Sequence, residues 1–240
     1  MKMQKKNYFK KATDPLQYDS VDVNWEKEGL QKSPTRQFIQ EYLREALQVG
    51  GKSVFDVGSG MGQLFRLFRE LGAANIAGIE PSKNSIIASR RIYPDIEVFH
   101  GVLEEMPEDK AYDVITVVMV FEHIENVRSA FKKLFGLLSR GGMMYVVVAN
   151  DTYFRTPRFD YKIEIEELGN EEAVVKSERS IGTLYDIVRP LEHYISEARH
   201  AGFKIPRHIE MKPTPQFLKL EPRYKRFSNL ALEHLLILQK

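Results

Sequence analysis

Two rhythms of apolar residues divide this chain. From Ser33, the stretch SPTRQFIQEYLREAL places Phe38, Ile39, Tyr42, Leu43 and Leu47 at helical spacing. A cap-like serine and a proline suited to a first helical turn stand before them, so a helix is expected that Gly50-Gly51 ends. Beyond it, short and almost unbroken apolar runs alternate with amphipathic ones. The runs predict strands over 52–57, 75–80, 96–100, 112–119 and 143–149, and the amphipathic segments predict helices over 61–71, 83–92 and 127–138. A further helix is expected over 192–200, then strands over 203–211 and 231–238. Strands with little polar alternation, separated by helices, are what a sheet covered on both faces requires. The expected fold is therefore α/β: a Rossmann-like, doubly wound, seven-stranded sheet, mostly parallel with an antiparallel last strand, and helices on both faces.

The rhythm breaks after Asn150. Residues 151–188 contain IEIEELGNEEAVV, two short runs around Gly169-Asn170 that suggest a β-hairpin, in a markedly acidic segment. Residues 1–32 read as an N-terminal tail and lid, with lysine-rich Met1 to Lys11 left without structure. The expected organisation is this tail, a core over 33–150, an inserted substrate cover over 151–188, and completion of the core over 189–240.

Composition narrows the function classes. The chain of 240 residues is long enough for one sizeable core. With 35 Lys+Arg against 33 Asp+Glu its net charge is only +2, so no global field favours nucleic acid or membrane. A nucleic-acid partner would need a local patch, for which the basic, aromatic-bearing stretch from Lys204 to Arg226 is the candidate. The absence of cysteine removes disulfides, thiolate nucleophiles and sulfur-ligated zinc. No run approaches the roughly 20 apolar residues of a membrane span, and with no secretory signal visible a cytoplasmic location is expected.

Candidate chemistry gathers in VFDVGSGMGQLF, Val54 to Phe65. Open parallel sheets bind ligands beyond the carboxyl ends of their strands, so the first strand-to-helix loop is the place to look. Gly58, Gly60 and Gly62 allow positive φ and a close backbone approach, and the following helix start offers unpaired N–H groups. Asp56 stands at the loop's mouth and Glu80 closes the second strand, one position over in a parallel sheet. A carboxylate there accepts hydrogen bonds from vicinal ribose hydroxyls, which indicates an adenosine-type ligand. A dinucleotide fingerprint would need glycine at position 63, where this chain has Gln63.

Asp56-Val57-Gly58-Ser59-Gly60-Met61-Gly62, followed by Glu80-Pro81-Ser82, resembles the class I S-adenosylmethionine-dependent methyltransferases. Gly101 to Pro107 stands where that family contacts adenine. Val120-Phe121-Glu122-His123-Ile124 is similar to the Glu-His segment of the ubiquinone-biosynthesis-like, small-molecule branch. The resemblance implies S-adenosyl-L-methionine as cofactor and S-adenosyl-L-homocysteine as product. By position it implies that Gly58, Ser59, Gly60 and Met61 pack on the methionine portion, with Asp56 orienting the loop or binding the amino group. Glu80 would take the ribose, Pro81 or Ser82 would flank the adenine, and Leu103 would offer its N–H to the ring. Val102 replaces the aspartate of many relatives, with Glu104 as a stand-in, and Val120 would lie against the methionine part. The implied reaction is transfer of a methyl group to O or N of a small molecule by in-line displacement. An acceptor in RNA or protein, and a cofactor-binding scaffold without transfer, stay open.

His123 is the candidate general base because its ordinary pKa, about 6.5, suits proton transfer near neutrality. His193, after the insert, is a second candidate. Glu122, His123 and His193 lack a clear fourth partner, so no metal is expected. Tyr18 and Trp25 are candidate lid residues over the cofactor, and Tyr153, Phe154, Phe159 and Tyr161 lie just ahead of the acidic insert.

Overall fold

The computed structural model describes residues 7–20, 34–107, 109–158, 161–179 and 182–240, so Trp25 and Phe159 lie outside the described residues. Helices run over Tyr8–Ala12 (α1), Pro34–Ala46 (α2), Phe65–Glu70 (α3), Lys83–Ile92 (α4), Val127–Leu137 (α5), Asp151–Arg155 (α6), Leu191–His200 (α7) and Pro215–Leu220 (α8). Strands run over Ser53–Val57 (β1), Asn75–Glu80 (β2), Glu97–His100 (β3), Tyr112–Val118 (β4), Leu138–Ala149 (β5), Lys162–Gly169 (β6), Glu172–Arg179 (β7), Gly182–Val188 (β8), Lys204–Met211 (β9) and Glu233–Gln239 (β10).

Seven strands form one sheet in the order β3-β2-β1-β4-β5-β10-β9, with β10 antiparallel to both its neighbours. The order reverses between β1 and β4, which opens a crevice above their carboxyl ends. Both faces are buried. Val54, Val114, Val147 and Leu235 pack toward α2 and α3, while their neighbours Phe55, Ile115, Val146 and Leu236 pack toward α5 and α7. This two-sided burial is why these strands lack polar alternation in the sequence. Among the described residues, no helix is long and apolar enough to cross a membrane.

Several elements differ from the expected ones. The helix expected from Met61 starts only at Phe65, because Gly62 has φ +85° and interrupts the turn. The segment 151–188 holds more than a hairpin: α6 opens it, and β8 joins β6 and β7 in a three-stranded antiparallel sheet. The first eleven residues, expected without structure, include most of α1, which is ordered by packing. Ala12 joins Val174 and Ile187 in a small apolar cluster with Tyr8, Phe9 and Tyr185.

That packing also neutralises the acidic insert. Tyr8 donates its backbone N–H to Glu166 and its hydroxyl to Glu164, each at 2.7 Å. Lys176 bridges Glu164 and Glu178, and Arg155 pairs with Glu167. Glu164, Glu166, Glu167 and Glu178 of the insert therefore face partners from this chain. The basic stretch from Lys204 folds as β9, α8 and a 3-10 turn over Pro222–Phe227, with Lys212 paired to Glu210 and Arg223 to Glu221.

Candidate functional site

A cavity of about 660 Å³ lies over the crevice between β1, β2 and β4. Its size falls within the roughly 300–1,000 Å³ usual for cofactor and ligand sites. Asp56, Gly58, Ser59, Gly60, Met61, Glu80, Pro81, Val102, Leu103, Val120 and His123 all line it. Of the residues that the sequence singles out, Ser82 stands just behind the wall and His193 lies elsewhere.

The glycine loop is shaped by the strands beneath it. Gly58 and Ser59 donate their backbone N–H groups to the Ile79 carbonyl at 2.9 and 3.0 Å, which ties the loop to the end of β2. Gly58 has φ +67°, and a Cβ there would stand 2.5 Å from Val120 Cγ2, so both conformation and space require glycine. Ser59 is buried, and its Oγ has no protein partner among the described residues.

Two carboxylates meet at this loop. Asp56 is buried and accepts a 2.6 Å hydrogen bond from Thr116 Oγ1 on β4. Burial pushes the Asp56 carboxyl up to about 7, against the Thr116 hydrogen bond, with the charge of Glu80 adding to the rise. Glu80 accepts from Gly60 N–H through Oε2 at 2.8 Å and from Ser82 N–H through Oε1 at 2.9 Å. Burial raises its pKa while these two bonds lower it. Each oxygen keeps a lone pair for a further donor. Ser82 caps α4, its Oγ accepting from Ser85 N–H, and also donates to Asp19 from the N-terminal segment.

The opposite wall is built on the loop after β4. Met119 has φ +56°, an uncommon left-handed conformation for a bulky side chain, and it lines the cavity. Such conformations cluster at ligand sites. A short 3-10 turn over Phe121–His123 follows and sends its two polar side chains apart. Glu122 turns away from the cavity and accepts from Ala149 N–H at 2.6 Å, while His123 faces the cavity.

His123 is held from three directions. Its Nδ1 lies 3.3 Å from the Ala12 carbonyl and 3.0 Å from Gln17 Nε2, and its Nε2 lies 3.1 Å from the Tyr18 hydroxyl. The two amide hydrogens of Gln17 have the Ala12 and Tyr185 carbonyls as acceptors. Nδ1 therefore carries the imidazole proton and donates it to Ala12, and the Tyr18 hydroxyl donates to Nε2. Burial lowers the His123 pKa, partly offset by Asp186 and by the Ala12 hydrogen bond. The exposed 39% of Tyr18 belongs to a residue that lines this cavity.

His193 does not share this site. It stands on α7 with Nδ1 3.1 Å from Glu172 Oε1, in a group completed by Arg189, whose Nε is 3.5 Å from the same carboxylate. Among the described residues no group of three or more His, Cys, Asp or Glu is arranged to hold a metal ion.

Four residues that the sequence analysis did not single out shape the site. Thr116 is the one hydroxyl inside the apolar run of β4, a signal that was available. Arg36 is in the first turn of α2 and lines the cavity, and burial lowers its pKa to about 10. Arg189 is only 2% exposed and donates to the Phe121 and Ile124 carbonyls, both at 2.8 Å, so it clamps the turn that carries His123. Gln17 joins α1, β8 and His123. Apart from Gln17 to Ala12, the contacts of the last two to the His123 turn and β8 span 65 or more positions, which leave no local pattern.

Burial at this turn has a consequence for stability. Glu122 is fully buried, and burial pushes its pKa from 4.5 up to about 7, against hydrogen bonds from backbone N–H groups. Between those values the folded state keeps a proton that the unfolded state has lost, so this group lowers stability as pH rises through that window. The Glu122→Gln variant is expected to lose less thermal stability than the parent between about pH 5 and about pH 8, by on the order of a few kcal/mol. Unfolding midpoints at the two pH values check this, and equal losses would contradict it.

Comparison with known proteins places the chain. The Methyltransferase domain family model matches residues 30–208. The demethylmenaquinone methyltransferase of Chlorobaculum tepidum is 26% identical over 95 residues, 39% of this chain and 39% of that protein. The ubiquinone biosynthesis O-methyltransferase of a Bradyrhizobium species is 28% identical over 106 residues, 42% of each. The chain thus spans less than half the length of these curated relatives. The crystal structure of an S-adenosylmethionine dependent methyltransferase from Mesorhizobium loti aligns with a TM-score of 0.69 at 20% identity, over 88% of this chain and 100% of that one, which is a likeness of fold. With that family model spanning β1 to β5, the glycine loop and the inserted strands, the chain belongs to the Methyltransferase domain family.

Proposed function

We propose that the protein is an S-adenosylmethionine-dependent methyltransferase that transfers the methyl group to O or N of a small molecule. The observation that carries this reading is Glu80: a buried carboxylate at the end of β2, braced by Gly60 and Ser82, facing a cavity of cofactor size. The pinned Asp56, the cradle at Gly58 that a Cβ would fill, and the unpartnered Ser59 Oγ fit the same ligand. The relatives named demethylmenaquinone methyltransferase and ubiquinone biosynthesis O-methyltransferase support a small-molecule acceptor, the second of them an oxygen.

Bound there, S-adenosylmethionine supplies a methyl group already activated by a positive sulfur, and S-adenosylhomocysteine is left as product. The chain's own tasks are then alignment, exclusion of water and removal of a proton. Glu80 holds the ribose hydroxyls, with Pro81 and the Ser82 turn beside the adenine and the Val102-Leu103 backbone along the ring. Gly58, Ser59, Gly60, Met61 and Val120 enclose the methionine portion, Asp56 fixes the loop, and Arg36 balances the cofactor's carboxylate. The segment 7–20 serves as a lid, the inserted sheet as the acceptor's cover, and His123 Nε2 as the base. His193 takes no part, since it pairs with Glu172 away from the residues that line the cavity.

Incubation with methyl-labelled cofactor and a panel of phenols and amines tests the reading. Label transferred to a phenol or amine is the expected result; cofactor bound with no transfer to any acceptor would favour a scaffold, and transfer only to RNA or protein would move the acceptor class. In the same assay His123→Ala is expected to depress turnover by roughly 100-fold or more, in line with loss of general-base catalysis. Cofactor affinity should change little, and normal turnover would return His123 to a packing role.

A further inference from the structure

We propose that Asp186, carried by the inserted sheet, is a positioning residue that acts through His123, balancing the charge the imidazole gains during methyl transfer. The inference rests on the role of His123 given above and names a partner on a different structural unit. Asp186 sits on β8, opposite Val175 of β7, with its side chain 6% exposed. Its Oδ1 lies 3.9 Å from His123 Nε2, and its Oδ2 lies 3.6 Å from Arg179 Nη2 without a hydrogen bond. A buried carboxyl needs polar partners, and here one oxygen faces each of two basic side chains, His123 and Arg179.

The surroundings of His123 leave this role to Asp186. From α1 the ring meets the Ala12 carbonyl, and from the 3-10 turn over Gln17–Ser20 it meets Gln17 and Tyr18. Arg189, just after β8, acts against its protonation, and Glu122 beside it points to β5 and carries its own raised pKa. Arg179 on β7 stands behind Asp186. Among these groups Asp186 is the carboxylate that approaches the ring nitrogen facing the cavity. When the acceptor's oxygen or nitrogen forms its bond to the methyl carbon, the methyl–sulfur bond breaks and its electron pair stays on sulfur. The acceptor's proton passes to the Tyr18 hydroxyl oxygen while that hydroxyl's own proton passes to His123 Nε2, and the resulting imidazolium has the Asp186 carboxylate 3.9 Å from that nitrogen. Without the carboxylate, that cation would keep the opposing charge of Arg189 and lose the opposite charge that favours it. Gln17 strengthens the arrangement, because its amide brackets the backbone N–H and carbonyl of Tyr185, the residue before Asp186.

The test is titration of His123 by NMR in ring-¹⁵N-labelled full-length protein, assigned with His123→Ala, in the parent and in Asp186→Asn. The expected result is a fall of the His123 midpoint by about one pH unit or more in Asp186→Asn, the effect of removing an opposite charge within roughly 4–6 Å. Arg179→Gln, which leaves the carboxylate in place, is expected to leave the midpoint at or above the parent's. An unmoved midpoint in a folded Asp186→Asn protein would overturn the proposal. If that variant fails to fold, the parent protein still decides: the proposal requires Nδ1 to be protonated and Nε2 to be the titrating nitrogen, and the opposite tautomer would overturn it. Calorimetry with S-adenosylhomocysteine, run alongside, separates the two readings. Absence of binding would remove the cofactor assignment, whereas the His123 midpoint remains measurable without any cofactor.

Discussion

Replacing Glu80 by alanine is expected to weaken S-adenosylmethionine binding at least tenfold. The carboxylate has two duties, and the substitution removes both. It gives up hydrogen bonds to the ribose from a charged acceptor, worth about 1.5–3 kcal/mol. It also frees Gly60 and Ser82, whose N–H groups the two oxygens hold at 2.8 and 2.9 Å, so the loop loses its brace. A loss of about 1.4 kcal/mol is already tenfold in affinity. Glu80→Gln should fall between the parent and the alanine variant, since one carbonyl oxygen remains to accept where two carboxylate oxygens did. Calorimetric titration of the cofactor measures both variants, and an unchanged dissociation constant for Glu80→Ala would retire the assigned role.

The second large effect is expected in stability, at Arg189. Its guanidinium is buried, donates to the Phe121 and Ile124 carbonyls, and faces Glu172. Arg189→Ala leaves those acceptors without a donor and empties a large buried volume. Breaking a buried charged contact of this kind costs about 3–5 kcal/mol. In a chain of this size each kcal/mol lowers the unfolding midpoint by roughly 2–4 °C, so a drop on the order of 6–20 °C is expected. Arg189→Lys keeps the charge but cannot span two carbonyls with a planar fork, so it should recover only part of the loss. Thermal unfolding followed by circular dichroism reads both variants, and a midpoint within a degree or two of the parent would show that the turn stands without its clamp.

The elements legible in the sequence share one property: their signal is local. Runs such as Val114 to Val118 announce strands because the sheet is buried on both faces. The glycine loop and Glu80 could be brought together from order alone, since a parallel pair of strands places β2's end beside β1's. The misreadings have the opposite character. The five-residue α1 is too short to persist by propensity and exists because Ala12 packs on Val174 and Ile187. The β8 strand forms by pairing with β7, and the delayed start of α3 comes from the positive φ of Gly62.

His193 and His123 mark the same boundary within the candidate site. Both are single histidines in short helical segments, and sequence pattern does not separate them. Only one is brought to the cavity, because the 3-10 turn after β4 hangs over the sheet's switch point while α7 packs on the far side against α5. By itself the sequence determined the α/β class, the succession of most strands and helices along the chain, and the acidic and glycine residues that line the crevice, since alternation, apolar runs and spacing act over a few residues. Which histidine faces that crevice, which carboxylate stands behind it, and what the N-terminal segment covers were decided only by the tertiary structure. Those contacts join residues some 60 to 170 positions apart, and burial, not local propensity, selects them.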